Sequence, residues 1–223
     1  MTVTTAQPDK GDWRQRWATL TPVGVEVHAL IQPLQEGVLA DRAAAVAALA
    51  RLRRGVGKPA GSVQEILQYT VSDAFAGPDA GDEPTPAETA AHVALTLYSL
   101  HQQSRNNRMH QRGFGLGRSL RMLHPTEFDT TIPPVLRRFQ TLGSSQSLEE
   151  LVHHLRGAVQ LLRPAEIPLD YAALADDLLW WQRRGGASRV RLRWGREFFR
   201  TPRPADSADG DAPETREPEP DLD

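Results

Sequence analysis

Cysteine does not occur among the 223 residues, which excludes a disulfide framework, a thiolate nucleophile and any Cys-type zinc site. Lysine is nearly as scarce: of 26 basic residues only Lys10 and Lys58 are lysine, leaving 24 arginines. Apolar runs long enough to cross a bilayer are also missing. The first residues, MTVTTAQPDKGD, have neither the basic start nor the apolar stretch of a signal peptide, so the expectation is a soluble, cytoplasmic protein without a membrane partner. The length suits one domain, or two small ones packed together.

What is present is arginine, and it is unevenly placed. The formal net charge of −2 averages unlike segments. Residues 1–100 hold eight basic and eleven acidic side chains, residues 101–200 hold sixteen and nine, and residues 201–223 hold two and eight. The middle segment therefore carries +7 and the last one −6. Within HQQSRNNRMHQRGFGLGRSLRML (101–123) there are five arginines and no acid. The guanidinium fork matches phosphate and carboxylate geometry, so such a stretch points to an anionic partner, although biased genomic composition also raises arginine content. The segment TPRPADSADGDAPETREPEPDLD (201–223) has five prolines and no aromatic residue and reads as a disordered acidic tail. The organisation expected is a flexible N-terminus over 1–11, a helical domain over 12–200 and the tail over 201–223.

Helical periodicity dominates the rest. In SLEELVHHLRGAVQLL the apolar residues Leu148, Leu151, Val152, Leu155, Ala158, Val159 and Leu162 follow three-and-four spacing, behind a capping-box pattern of Ser147 and Glu150. LDYAALADDLLWW repeats the pattern, with Asp170 as N-cap and Gly185 beyond the end. Ala90, Val93, Ala94, Leu97 and Leu100 define another helix, and Ala45, Val46, Leu49 and Leu52 another. GPDAGDEPTP (77–86) reads as an interhelical loop. RVRLRW (189–194) alternates as a strand would, but a lone strand has no partner, so a helix continuing into GREFF is expected. The fold class is an all-α bundle of about eight or nine helices.

A helical wheel puts Leu116, Leu120 and Leu123 on one face, with Arg118 and Arg121 opposite. Arg105, Arg108 and Arg112 precede that helix, and Gly113, Gly115 and Gly117 allow either a tight turn or close approach of a partner. Arg51 and Arg54 lie opposite Leu49, whereas Arg53 points to the apolar side, so it is expected to be partly buried and paired. Arg137 lies across from Phe139 and Leu142, with Arg138 flanking them. Candidate nucleic-acid-binding residues are therefore Arg51, Arg54, Arg105, Arg108, Arg112, Arg118, Arg121, Arg137 and Arg138.

Catalysis has no visible home. GFGLG has neither a preceding strand nor a following Gly-Lys-Ser, which argues against a nucleotide cradle. Glu149 and His153, four apart, lack a third and fourth ligand, so a surface pair is preferred to a metal site. Asp176 and Asp177 diverge on a helix. His101, His110 and His124 are read as phosphate donors or as satisfied hydrogen-bond partners. Core packing is the reading for most of the tryptophans, including Trp180 and Trp181, and the pair Trp13 and Trp17 one turn apart. No catalytic residue, metal or cofactor is expected.

The ordered segments ARLRRG (50–55), ALTLYSLHQQS (94–104), MHQRGFGLGRSL (109–120), RRFQTL (137–142), LVHHLRGAVQLLR (151–163), PLDYAALADDLLWWQ (168–182) and VRLRWGREF (190–198) together resemble CasB, the small-subunit family of the type I-E CRISPR complex Cascade. The resemblance covers about residues 12–199. It implies two packed helical lobes and no catalytic activity. It further implies a second copy of the same chain, the large subunit and the backbone subunits as neighbours, with crRNA and target or displaced DNA as the nucleic acids. The implied role is to brace the guide–target hybrid and the displaced strand of an R-loop. The acidic tail is outside that pattern and reads as a solubility feature or a competitor for the basic surface. A helix-turn-helix regulator using LGRSLRML, and behind it a metal-dependent nuclease, are the alternatives.

Overall fold

The computed structural model describes residues 19–123 and 134–200. Trp13, Trp17, His124, Glu127, Asp129 and the segments 1–11 and 201–223 lie outside the described residues. Among those described there are nine α-helices and no strand: α1 Pro22–Leu39, α2 Ala43–Arg53, α3 Leu67–Thr70, α4 Pro86–Gln102, α5 Leu116–Met122, α6 Pro134–Ser144, α7 Leu148–Leu162, α8 Tyr171–Trp181 and α9 Gly186–Arg200. A 3-10 turn, Gln64–Ile66, leads into α3. No helix among them is long and apolar enough to cross a membrane.

Helices α1, α4 and α8 pack mutually, α2 lies against α1 and α4, α9 lies along α5, and α6 and α7 pair beside them. One continuous apolar cluster joins both groups, from Val27 and Ile31 of α1 through Leu95 of α4 and Leu155 of α7 to Trp194 and Phe198 of α9. The side chains of α4 from Ala90 to Ser99 are all buried, which makes it the central helix. Val46 of α2, assigned to the apolar face by its spacing, is instead 42% exposed.

The helix ends follow local chemistry. Ser147 accepts from the Glu150 amide at 3.1 Å, but the Glu150 carboxylate takes the amide of Gln146, one residue before the expected partner. Asp170 caps α8 by accepting from Ala173 N at 3.0 Å, and Gly185 ends that helical segment with φ +70°. A complete capping box that the sequence reading passed over lies at the end of the 77–86 loop. There Thr85 accepts from Glu88 N at 3.0 Å and Glu88 accepts from Thr85 N at 2.8 Å, with Pro86 in the first turn. RVRLRW is helical, as expected, within α9.

Candidate nucleic-acid interface

The arginine-rich loop between α4 and α5 is held at several points. Gln102 of α4 donates to the carbonyls of Arg105 and Asn107 and accepts from Met109 N. Gln35 of α1, fully buried, exchanges two hydrogen bonds with the backbone of His110 at 2.9 and 3.1 Å. Leu169 pairs with Met109 and Gln111 through backbone bonds, and Asp170 accepts from Gly113 N at 2.9 Å. Gly113, at φ +82°, is the turn that glycine makes cheap.

The other two glycines admit an internal helix and no outside partner. A Cβ on Gly117 would lie 2.1 Å from the Trp194 carbonyl, and one on Gly115 would strike the Glu197 carboxylate. Glu197 of α9 accepts from Gly117 N at 3.0 Å, so the amides opening α5 are answered by an internal carboxylate.

The histidines of this region are core residues. His101 Nδ1 shares a 2.9 Å hydrogen bond with the Tyr171 hydroxyl, and burial, aided by the charge of Arg163, lowers its pKa to about 4. His110 Nδ1 accepts from Tyr171 N at 3.1 Å and its Nε2 meets His28 at 2.9 Å; burial lowers it to about 4 as well. Neither is placed to donate to phosphate. His153 and Glu149 are exposed on α7. Among the described residues no three metal-ligating side chains of the His, Asp or Glu type gather.

The nine arginines selected from sequence separate by environment. Arg121 is a correction: it was placed on the outward face, but only 8% of its surface is exposed. Helix α5 is seven residues long and packs on α9 while also touching α6 and α7, which leaves no free side at that position. Of residues 116–123 only Arg118 is exposed, so this helix has no face to lay in a DNA groove. Arg118 stacks on the Phe114 ring at 4.3 Å and donates to the Gly113 carbonyl. Arg112 is half-buried against Asp170 at 3.2 Å. Arg105 reaches Glu166 at 3.3 Å, where Asn107 also donates. Arg54 pairs with Glu65. Arg51 is half-buried, its Nε shut off from solvent. Arg108 and Arg137 are exposed, and Arg138 is half-buried along α7.

Structure adds members that sequence reasoning missed. The Arg138 guanidinium lies over Gly157 of α7, with Nη1 3.1 Å from where a Cβ would stand. The preceding residue, Arg156, is exposed and its Nη1 comes near Gly57 in the turn after α2, beside exposed Lys58. Arg53, expected to be partly buried and paired, is half-buried, but its charged neighbour is Arg163, whose proximity adds to desolvation in lowering the Arg53 pKa. Arg163 in turn donates to the Gln103 carbonyl at 3.1 Å, two residues before Arg105. A stripe of like charge thus runs from α6 across α7 to the turn after α2 and the 103–108 loop. Arg156 of α7 and Arg163, which caps its C-terminal end, lie seven apart, which returns them to one face; that spacing was the signal available in the sequence.

Meanwhile three acids of α8 and α9 turn inward. Asp176 accepts from Thr21 N at 2.8 Å, capping α1 from another helix, and burial raises its pKa. Asp177 accepts from Trp194 Nε1 at 2.8 Å and pairs with Arg193. Burial likewise raises Glu197.

The described chain is thus an all-α protein in which Asp170, Asp176 and Asp177 are buried against internal donors while Arg108, Arg137 and Arg156 are exposed. The chain belongs to the Cse2 family of CRISPR-associated proteins, whose model matches residues 48–199; this Cse2/CasB family is the small subunit of type I-E Cascade, a structural component and generally not a catalytic one. Among solved structures, CasB from Thermobifida fusca is 44% identical, with a TM-score of 0.68 over 81% of this chain and 99% of that one. A Cse2-family protein from Thermus thermophilus is 28% identical, with a TM-score of 0.59 over 80% and 98% of the two chains. Comparison with curated proteins finds no match.

Proposed function

We propose that this Cascade component braces the guide–target hybrid and the displaced strand of the R-loop by gripping sugar-phosphate backbone, with no sequence readout and no chemistry of its own. The crRNA, the target DNA, the large and backbone subunits and a second copy of the chain are its partners in that role. The observation that carries the reading is the stripe of Arg138, Arg156, Arg53 and Arg163, for which no carboxylate partner stands among the described residues. Opening a duplex for guide pairing is a near-balanced exchange, so a few phosphate contacts made only in the open state move it. Each contact releases condensed counterions, and the gain shrinks as salt rises.

The test is R-loop formation by the assembled complex carrying Arg138→Ala and Arg156→Ala. Both side chains sit outside the core, so assembly should persist. R-loop yield should fall, and the dependence of log affinity on log salt should flatten by about 0.7 for each arginine removed. An unchanged yield and slope would refute the proposal.

A further inference from the structure

The turn after α7 carries a residue in an unusual place. Ile167 N donates to the Leu162 carbonyl and Glu166 N to the Arg163 carbonyl, each at 3.2 Å, the bond pair of a Schellman turn. Its left-handed position, ordinarily glycine's, is taken by Glu166 at φ +53°. The side chain crosses to the 103–108 loop, where Arg105 Nη1 donates to its Oε1 at 3.3 Å and Asn107 Nδ2 to its Oε2 at 2.6 Å. That loop does not need the carboxylate to hold its shape. Gln102 already fixes the carbonyls of Arg105 and Asn107 and the amide of Met109, so the two donors are pre-set from α4. Glu166 is exposed in a turn of its own. Arg163 holds the Gln103 carbonyl, and the charges of Arg163 and Arg105 both reach His101, which puts the two donors at the edge of the arginine stripe.

We infer that Arg105 and Asn107 form a seat for one phosphodiester group and that Glu166 fills it as an internal stand-in until phosphate displaces it, an inference that rests on the backbone-gripping role proposed above. A carboxylate and a phosphodiester each present two charge-bearing oxygens to such donors, so the exchange is like for like. The side chains of Arg105 and Glu166 are 26% and 42% exposed, which leaves the ion pair wet and weak enough to open. Arg105 Nε is enclosed without a partner among the described residues, so Glu166 answers the guanidinium incompletely. A stray polyanion must break the pair before it gains the site. A strand already held at Arg138 and Arg156 presents its next phosphates at high local concentration, so Glu166 favours strands engaged along the whole stripe over single contacts.

The full chain, native and as Glu166→Gln, Arg105→Ala and the double variant, is titrated with an oligothymidine of about 30 nucleotides. Glu166→Gln should bind about threefold more tightly at low salt, with the gain gone at about 0.5 M. With Arg105→Ala as the background it should change nothing, because the carboxylate acts through that guanidinium. Weaker or unchanged binding by Glu166→Gln, or the same gain in both backgrounds, would overturn the inference. A second arm needs no nucleic acid: inorganic phosphate is added at constant ionic strength and the Asn107 side-chain amide signal is followed. The signal should shift saturably, at about threefold lower phosphate in Glu166→Gln than in the native chain. A signal that phosphate moves in neither form would overturn the seat even where oligothymidine binds through Arg138 and Arg156. If phosphate shifts the signal but no form binds oligothymidine, the seat stands and the backbone-gripping role fails, so the two failures are told apart.

Discussion

Asp170, Asp176, Asp177 and Glu197 each answer a specific internal donor: the start of α8 and Gly113, the start of α1, the Trp194 indole, and the start of α5. The histidines show the same principle from the basic side. His92, which meets the Gly55 carbonyl at 3.1 Å, His101 and His110 are all lowered by burial, so the folded state resists protonating them while the unfolded chain does not. Their contribution is complete above about 6.5 and is lost as pH falls, toward about 4 for His101 and His110, because protons then bind the unfolded state first. Asp176 and Glu197 act with the opposite sign: raised carboxylates contribute below their unfolded pKa and lose that contribution as pH rises through the folded value. Comparing the native chain with His101→Gln isolates the imidazole. Between pH 5 and 6 the slope of unfolding free energy, from urea titrations, should be smaller in the variant by about 1.4 kcal/mol per pH unit. Equal slopes would mean that His101 protonates freely in the fold.

At the scale of elements, α5 shows where periodicity reaches its limit. Its leucines were placed correctly: Leu116 and Leu120 are buried. The opposite face was half right: Arg118 is exposed, but Arg121 is buried, because a wheel assumes a wholly free side and α5 packs against three other helices. Longer helices with one partnered face, such as α7, were legible almost residue by residue, since three-and-four spacing describes a single apolar stripe directly. The glycines were recognised as permitting close approach, but the approaching group proved to be α9. Gly117→Ala should therefore push α5 from α9 and destabilise the protein by about 2 kcal/mol or more, read as a lower thermal midpoint. Gly143→Ala, where a Cβ meets nothing within 4 Å, is the neutral control. A midpoint unchanged by Gly117→Ala would deny the close contact.

Over the whole molecule, what matters for each charge is the group it meets. Buried carboxylates anchor helix termini, and Arg53, Arg138 and Arg156 form no ion pair among the described residues, whereas Arg54 and Arg105 nearby are already matched by Glu65 and Glu166. That difference sets the order of effects. In the assembled complex Arg156→Ala should weaken R-loop formation more than Arg54→Ala, and Glu65→Gln, which releases Arg54, should strengthen it at low salt by about twofold. A salt titration of R-loop yield for the three variants checks the ranking; equal losses from Arg54→Ala and Arg156→Ala would contradict it.

The sequence alone determined the all-α class, the caps at Ser147 and Asp170, the helix through RVRLRW and the excess of arginine between residues 101 and 200, because each of these depends on neighbours within about one helical turn or on composition. It also carried the family, through the order of seven short segments. Tertiary structure alone decided which arginines face outward. Arg121 went inside because three helices close over α5, Arg54 acquired Glu65, and Arg156 and Arg163 joined Arg138 and Arg53 across three elements. Electrostatic surfaces arise from residues far apart in the chain, and local spacing holds no record of which distant side chain arrives beside them.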